Sequence, residues 1–145
     1  MLYYIRSYEY FHISRGIQVI GHNIAICLSV DHYYVAKGSD YSDRCDDDSG
    51  CETRVAQGSE IHRVRCCSDE EISGWSKKDG CEVWAESNIW GPTGSACKNM
   101  NWKDAEEFCE GHSGRLCTKE ELEDSCTEWT GCGYDYRMVW SSTPY

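Results

Sequence analysis

Apolar and polar positions change rhythm several times along this chain, and each change marks an element. Tyr33-Tyr34-Val35-Ala36 is a strand-forming run that ends at Lys37-Gly38-Ser39-Asp40. Residues 61–67 (IHRVRCC) alternate apolar and polar side chains, the period of a half-buried strand. Gly74, Gly80, Gly91-Pro92 and Gly94 punctuate residues 68–100, which read as loops. From Trp102 the period becomes helical. Trp102, Ala105 and Cys109 share a face, Phe108 lies beside them, Asn101 stands at the N-cap and Asp104 at N3. Gly111 and Gly114 are expected to end this helix. Thr118-Lys-Glu-Glu121 is a capping box for a second, short helix. Gly131-Cys132-Gly133 reads as a tight turn and Met138-Val139-Trp140 as a closing strand.

The N-terminal segment is different. The apolar run 17–30 is interrupted by Gly21, His22 and Asn23, and it falls short of the roughly 18–20 residues that span a bilayer. It also makes a poor signal-peptide core, so two short strands around a Gly-His-Asn turn are expected. Residues 1–32 read as an N-terminal extension, a fragment of a leader or of a preceding unit. Residues 33–145 read as one domain, because no repeat or low-complexity linker divides them.

Composition changes this picture through cysteine. Of the 11 cysteines, all but Cys27 stand between Cys45 and Cys132, namely Cys45, Cys51, Cys66, Cys67, Cys81, Cys97, Cys109, Cys117, Cys126 and Cys132. An even set in one stretch reads as a disulfide framework and therefore as an oxidising compartment, so a secreted or cell-surface location is expected. Spacing alone leaves the connectivity open. A local Cys45–Cys51 loop and a bridge from Cys109 to the C-terminal region are the expected pairs, and the adjacent Cys66 and Cys67 are expected to tie two different loops to one strand. Cys27 is the odd thiol, either buried and free or paired between chains.

Charge then removes whole classes of partner. The formal net charge is −11, and residues 39–52 carry Asp40, Asp43, Asp46, Asp47, Asp48 and Glu52 against Arg44. Such a surface repels phosphate backbones and anionic membranes, so no nucleic acid and no membrane insertion are expected.

The run Trp-Lys-Asp-Ala-Glu-Glu-Phe-Cys (102–109), Gly-His-Ser-Gly-Arg-Leu-Cys-Thr-Lys-Glu-Glu-Leu (111–122), Gly-Cys-Gly-Tyr-Asp (131–135) and Met-Val-Trp-Ser-Ser (138–142) resembles the helix–loop–helix segment of C-type lectin-like and Link domains. Over residues 35–142, Cys51-Glu-Thr-Arg-Val, Val64-Arg-Cys-Cys-Ser-Asp, Gly74-Trp75, Arg115-Leu-Cys-Thr-Lys-Glu-Glu-Leu and Thr130-Gly-Cys-Gly more closely resemble a cysteine-rich domain of unknown function in predicted secreted proteins of diatoms and related microalgae. The lectin resemblance implies an α+β fold: two helices against a small, mostly antiparallel sheet with long disulfide-stapled loops. It does not carry over the lectin calcium site, because the Glu-Pro-Asn, Gln-Pro-Asp and Trp-Asn-Asp triplets are absent.

Candidate chemistry is sparse. Asp43, Asp46, Asp48 and Glu52 have the oxygen ligands that calcium takes, yet they depart from an EF-hand loop, and a solvated acidic loop closed by Cys45–Cys51 is the first reading. No other cofactor is expected. There is no Cys-x-x-Cys for zinc or thiol redox chemistry and no Gly-x-Ser-x-Gly elbow, so an enzyme is not expected. Trp84, Trp90, Trp129, Tyr134 and Asp135 lie in loop-like surroundings, where an indole offers a face to a sugar ring or packs on a disulfide. Trp102 and Trp140 sit in regular elements and read as core. The expected function is a non-enzymatic recognition module for glycans or extracellular matrix proteins. The alternative is an adhesive wall or matrix module with no discrete ligand.

Overall fold

The computed structural model describes the backbone of residues 17–20 and 23–26, and backbone with side chains for 31–40, 43–48, 50–90, 94 and 96–145. Cys27 and the Gly21-His22 part of the expected turn lie outside the described residues. The chain divides into two units, Met1–Asp31 and His32–Tyr145. In the first, strands β1 (Ile17–Ile20) and β2 (Asn23–Ile26) pair antiparallel, with Ile17 opposite Ile26 and Ile20 opposite Asn23.

The second unit contains strands β3 (His32–Lys37), β4 (Arg54–Gln57), β5 (His62–Arg63) and β6 (Cys66–Ser68). Strands β7 (Ser76–Lys77), β8 (Trp84–Glu86) and β9 (Asn99–Met100) follow, then helix α1 (Trp102–Glu110). Strand β10 (Arg115–Leu116), helix α2 (Lys119–Glu123), a 3-10 turn (Tyr134–Tyr136) and strand β11 (Met138–Pro144) complete it. One sheet has the order β4-β3-β11-β5-β9 and another the order β10-β6-β8-β7. All pairings in the two sheets are antiparallel except β11 with β5. It is a small α+β fold with two helices and five disulfides among the described residues.

Side chains alternate across a strand, so a strand buried on both faces sends neighbouring residues into different cores. Val35, Cys66, Leu116 and Trp140 enter one core with Trp102, Ala105 and Cys109 of α1. Their chain neighbours Ala36, Cys67, Cys117 and Val139 enter another with Leu122 of α2. Cys66 therefore bridges to Cys109 on α1, while Cys67 bridges to Cys117, next to the N-cap of α2. The adjacent cysteines do tie down two different segments. The expected bridge from Cys109 to the C-terminal region is corrected: Cys109 bridges back to Cys66 on β6, and α1 meets the chain end through the Trp102 indole, which donates to the Ser141 carbonyl. The local Cys45–Cys51 loop forms, and Cys81–Cys126 and Cys97–Cys132 tie the loops before α1 to those after α2.

Both helices start where local chemistry places them. The Asn101 side chain accepts from the Asp104 amide, and Thr118 and Glu121 form the reciprocal capping box. Helix α1 ends at Gly111 as expected, with Gly111 keeping a right-handed φ of −62° and Ser113 making the left-handed turn at +64°. Gly114 is required for another reason: a Cβ there would lie 2.6 Å from the Trp75 ring and 2.9 Å from the Cys67 carbonyl oxygen.

The alternation read in residues 61–67 is inverted at its start. Ile61 is exposed and His62 is buried, and the segment breaks into β5 and β6 with Val64 and Arg65 buried between them. Partners distant in sequence decide this. His62 packs edge-on against Trp140, and Arg65 finds Asp135.

Candidate functional site

Among the described residues, four large hydrophobic side chains stand exposed: Ile61, Trp90, Trp129 and Tyr145. Of the loop residues expected to bind, Trp90 and Trp129 are open to solvent, at 70% and 67% of their full exposure. The loops that carry them pack together. The Ser87 amide donates to the Thr130 carbonyl at 2.7 Å. The Glu86 carboxylate accepts from the amides of Ser87 and Asn88, which holds the turn after β8. Gly131 lies so close to Asn88 that a Cβ would sit 3.0 Å from it. Ile89 is buried in the core beside α1, and the next side chain, Trp90, is held at the surface.

A buried charge pair lies under this surface. Arg65 is fully buried, and its guanidinium donates to Ser87 Oγ (2.8 Å), Thr127 Oγ1 (3.2 Å) and Asp135 Oδ1 (3.0 Å), and to the carbonyls of Gly38 and Gly131. Thr127 also donates to the Gly38 carbonyl. Burial pulls the Arg65 pKa below its ordinary value, and Asp135 opposes that pull. An ion pair removed from water needs its other hydrogen-bonding positions filled, and these contacts fill them. Asp135 in turn accepts from the Trp129 amide through both carboxylate oxygens, at 3.3 and 3.2 Å.

Three expected site residues change role. Tyr134 and Asp135 are buried rather than presented: the Tyr134 hydroxyl donates to the Lys98 carbonyl at 2.9 Å, and Asp135 serves Arg65 and Trp129. Burial raises the Tyr134 phenol pKa. Trp84 is half-buried within β8, opposite Ser68 and Lys77. Arg65 was missed, and its signal lay in the run Val64-Arg65-Cys66-Cys67, where buried residue types flank it on both sides.

Among the described residues, the acids of the 39–52 loop form no close group of three ligands. Asp46 forms a two-point ion pair with Arg44, whose hydrogen bonds lower its pKa. The most shielded acid is Asp47, outside the expected set; it meets Arg63 at 2.8 Å and Arg137 at 3.7 Å and accepts from the Met138 amide. Asp43, Asp48 and Glu52 are exposed. Of the four acids expected to offer oxygens to calcium, Asp46 is paired with Arg44, while Arg63 and Arg137 engage Asp47 instead. The compact group that does form among the described residues, Cys67, Cys117 and Glu121, has both sulfurs in one disulfide and so offers no thiolate. Glu52 instead lines an open depression of about 530 Å³ with Lys37, Asp40, Cys51, Thr53 and Glu123. Its polar groups are largely paired with each other, Lys37 with Asp40 and Thr53 with Glu123.

The disulfides match an oxidising environment, and no helix among the described residues is long and apolar enough to cross a membrane. Comparison with protein-family models, curated proteins and solved structures finds no match for this chain.

Proposed function

We propose that this chain is a secreted or cell-surface recognition module, without catalytic activity, that binds glycans or extracellular matrix proteins through the loop surface of Trp90 and Trp129. One observation carries the reading: two indoles remain open on loops that are otherwise stapled and hydrogen-bonded, while Trp102 and Trp140 are buried. An aromatic face held open to solvent is a favoured anchor for a binding partner. The succession of α1, β10 and α2 over residues 102–123, with Cys109 on the buried face, supports the C-type lectin-like resemblance.

A glycan array probed with and without EDTA tests this reading. Binding that is lost in Trp90→Ala and Trp129→Ala is the expected result, and comparison with EDTA reads whether calcium takes part. An array without a binder in either condition overturns glycan recognition and favours a matrix module.

A further inference from the structure

Trp129 differs from the other exposed aromatic residues in its backbone. Its φ is +64°, a left-handed conformation that a residue with a Cβ rarely adopts. Such a conformation persists only when its surroundings over-determine it. A chain of contacts through its amide contributes to that hold. The Trp129 amide donates to both oxygens of Asp135, Asp135 is held by Arg65, and Arg65 is fixed by Ser87, Thr127 and the carbonyls of Gly38 and Gly131. Ser87 and Gly131 belong to the loops that carry Trp90 and Trp129, so a single guanidinium registers both loops.

We propose that Trp129 is a fixed stacking platform for the face of an uncharged sugar ring, with Asp135, clamped by Arg65, as the positioning residue that sets it. The proposal rests on the recognition reading above and names its ligand class. A platform already held in place loses little freedom on binding, which is the benefit of preorganisation. The net charge of −11 selects against sulfated and carboxylated sugars. Lys78 is paired with Glu128, the residue before Trp129.

The test uses the oxidised chain labelled with 5-fluorotryptophan, which gives 6 fluorine signals, with the Trp129 signal assigned by Trp129→Phe. In the wild-type protein the Trp129 signal is expected to be single and free of millisecond exchange. In Asp135→Asn it is expected to broaden or split, while the Trp102 and Trp140 signals stay in place. Titration with β-1,3-glucan, chitin, cellulose and mannan oligosaccharides, and with dextran sulfate, reads the ligand. At least one neutral oligosaccharide is expected to bind, at least tenfold more weakly in Asp135→Asn. A Trp129 signal already in exchange in the wild-type protein overturns the clamp, and that measurement does not depend on whether Asp135→Asn folds. Unchanged affinity in a folded Asp135→Asn overturns the positioning role. Preference for dextran sulfate overturns the ligand class. Failure of every saccharide to bind overturns the recognition reading and the platform together, while the fluorine signals still decide whether Asp135 holds the ring.

Discussion

The bridges of β6 and the bridge of the acidic loop are chemically the same bond in opposite settings. Cys66–Cys109 and Cys67–Cys117 span 43 and 50 residues and lie in the buried cores. Cys45–Cys51 spans 6 residues at the surface, among acids that face arginines. The value of a staple depends on how much chain it closes and on what packs around it. The first region is organised by burial, with the Arg65–Asp135 pair enclosed in it. The second is organised by charge, through Asp46 with Arg44 and Asp47 with Arg63 and Arg137.

Cutting both β6 bridges breaks the comparison hardest. Chain entropy assigns about 4 kcal/mol to each loop of this length, and their joint loss is comparable to the roughly 5–15 kcal/mol that holds a whole domain. A variant with Ala at Cys66, Cys67, Cys109 and Cys117 is expected to be unfolded in neutral buffer, as read by near-ultraviolet circular dichroism. Arg65→Met comes next, because it strands a buried carboxylate; a loss of about 3–5 kcal/mol in urea denaturation is expected. A loss under about 1 kcal/mol would show that Asp135 reaches water, and would contradict the burial described above. Removing Cys45–Cys51 with Ser at both positions should cost only about 2 kcal/mol. Under mild reductant this bridge should open first, as mass spectrometry of alkylated cysteines would report.

Acid is expected to act with the smallest effect, and on the core side. Burial lowers the His62 pKa, with Arg54 and Arg63 adding to the effect and Glu60 opposing it. A depressed histidine is neutral when folded, so its contribution is complete above the ordinary value near 6.5 and declines as pH falls below it. Burial pushes Glu60 up, but the Gln57 amide, His62 and Arg54 outweigh it and hold its pKa at about 2. Its stabilising share is therefore present above the usual 4.5 and is lost between there and about 2. The melting temperature of wild-type protein should fall from pH 7 to pH 5, and His62→Gln should flatten that step. An unchanged slope would remove His62 from the account.

What the sequence made legible was local. The Asn101 cap, the Thr118–Glu121 box and the Cys45–Cys51 loop each depend on residues within a few positions of one another. The divergence of Cys66 and Cys67 was legible too, because a strand's two-residue period dictates it. Arg65, Tyr134 and Asp135 were not, since their burial is decided by partners 36 to 70 residues away. Neither was the choice of Trp90 and Trp129 over Trp84 and Trp75. All four stand in loop-like sequence, and only tertiary packing leaves two of them open.

The vicinal pair in β6 has a consequence for how the chain acquires its bonds. A slip of β6 by one residue against β8 and β10 would turn Cys66 toward Cys117 and Cys67 toward Cys109. Each wrong cross-link would thus demand a misaligned sheet, and each misaligned sheet would exchange the interiors of both layers. The two native bridges and the register of β6 thus imply one another, so a dipeptide that looks redundant on paper ties the alignment of one sheet to two covalent bonds.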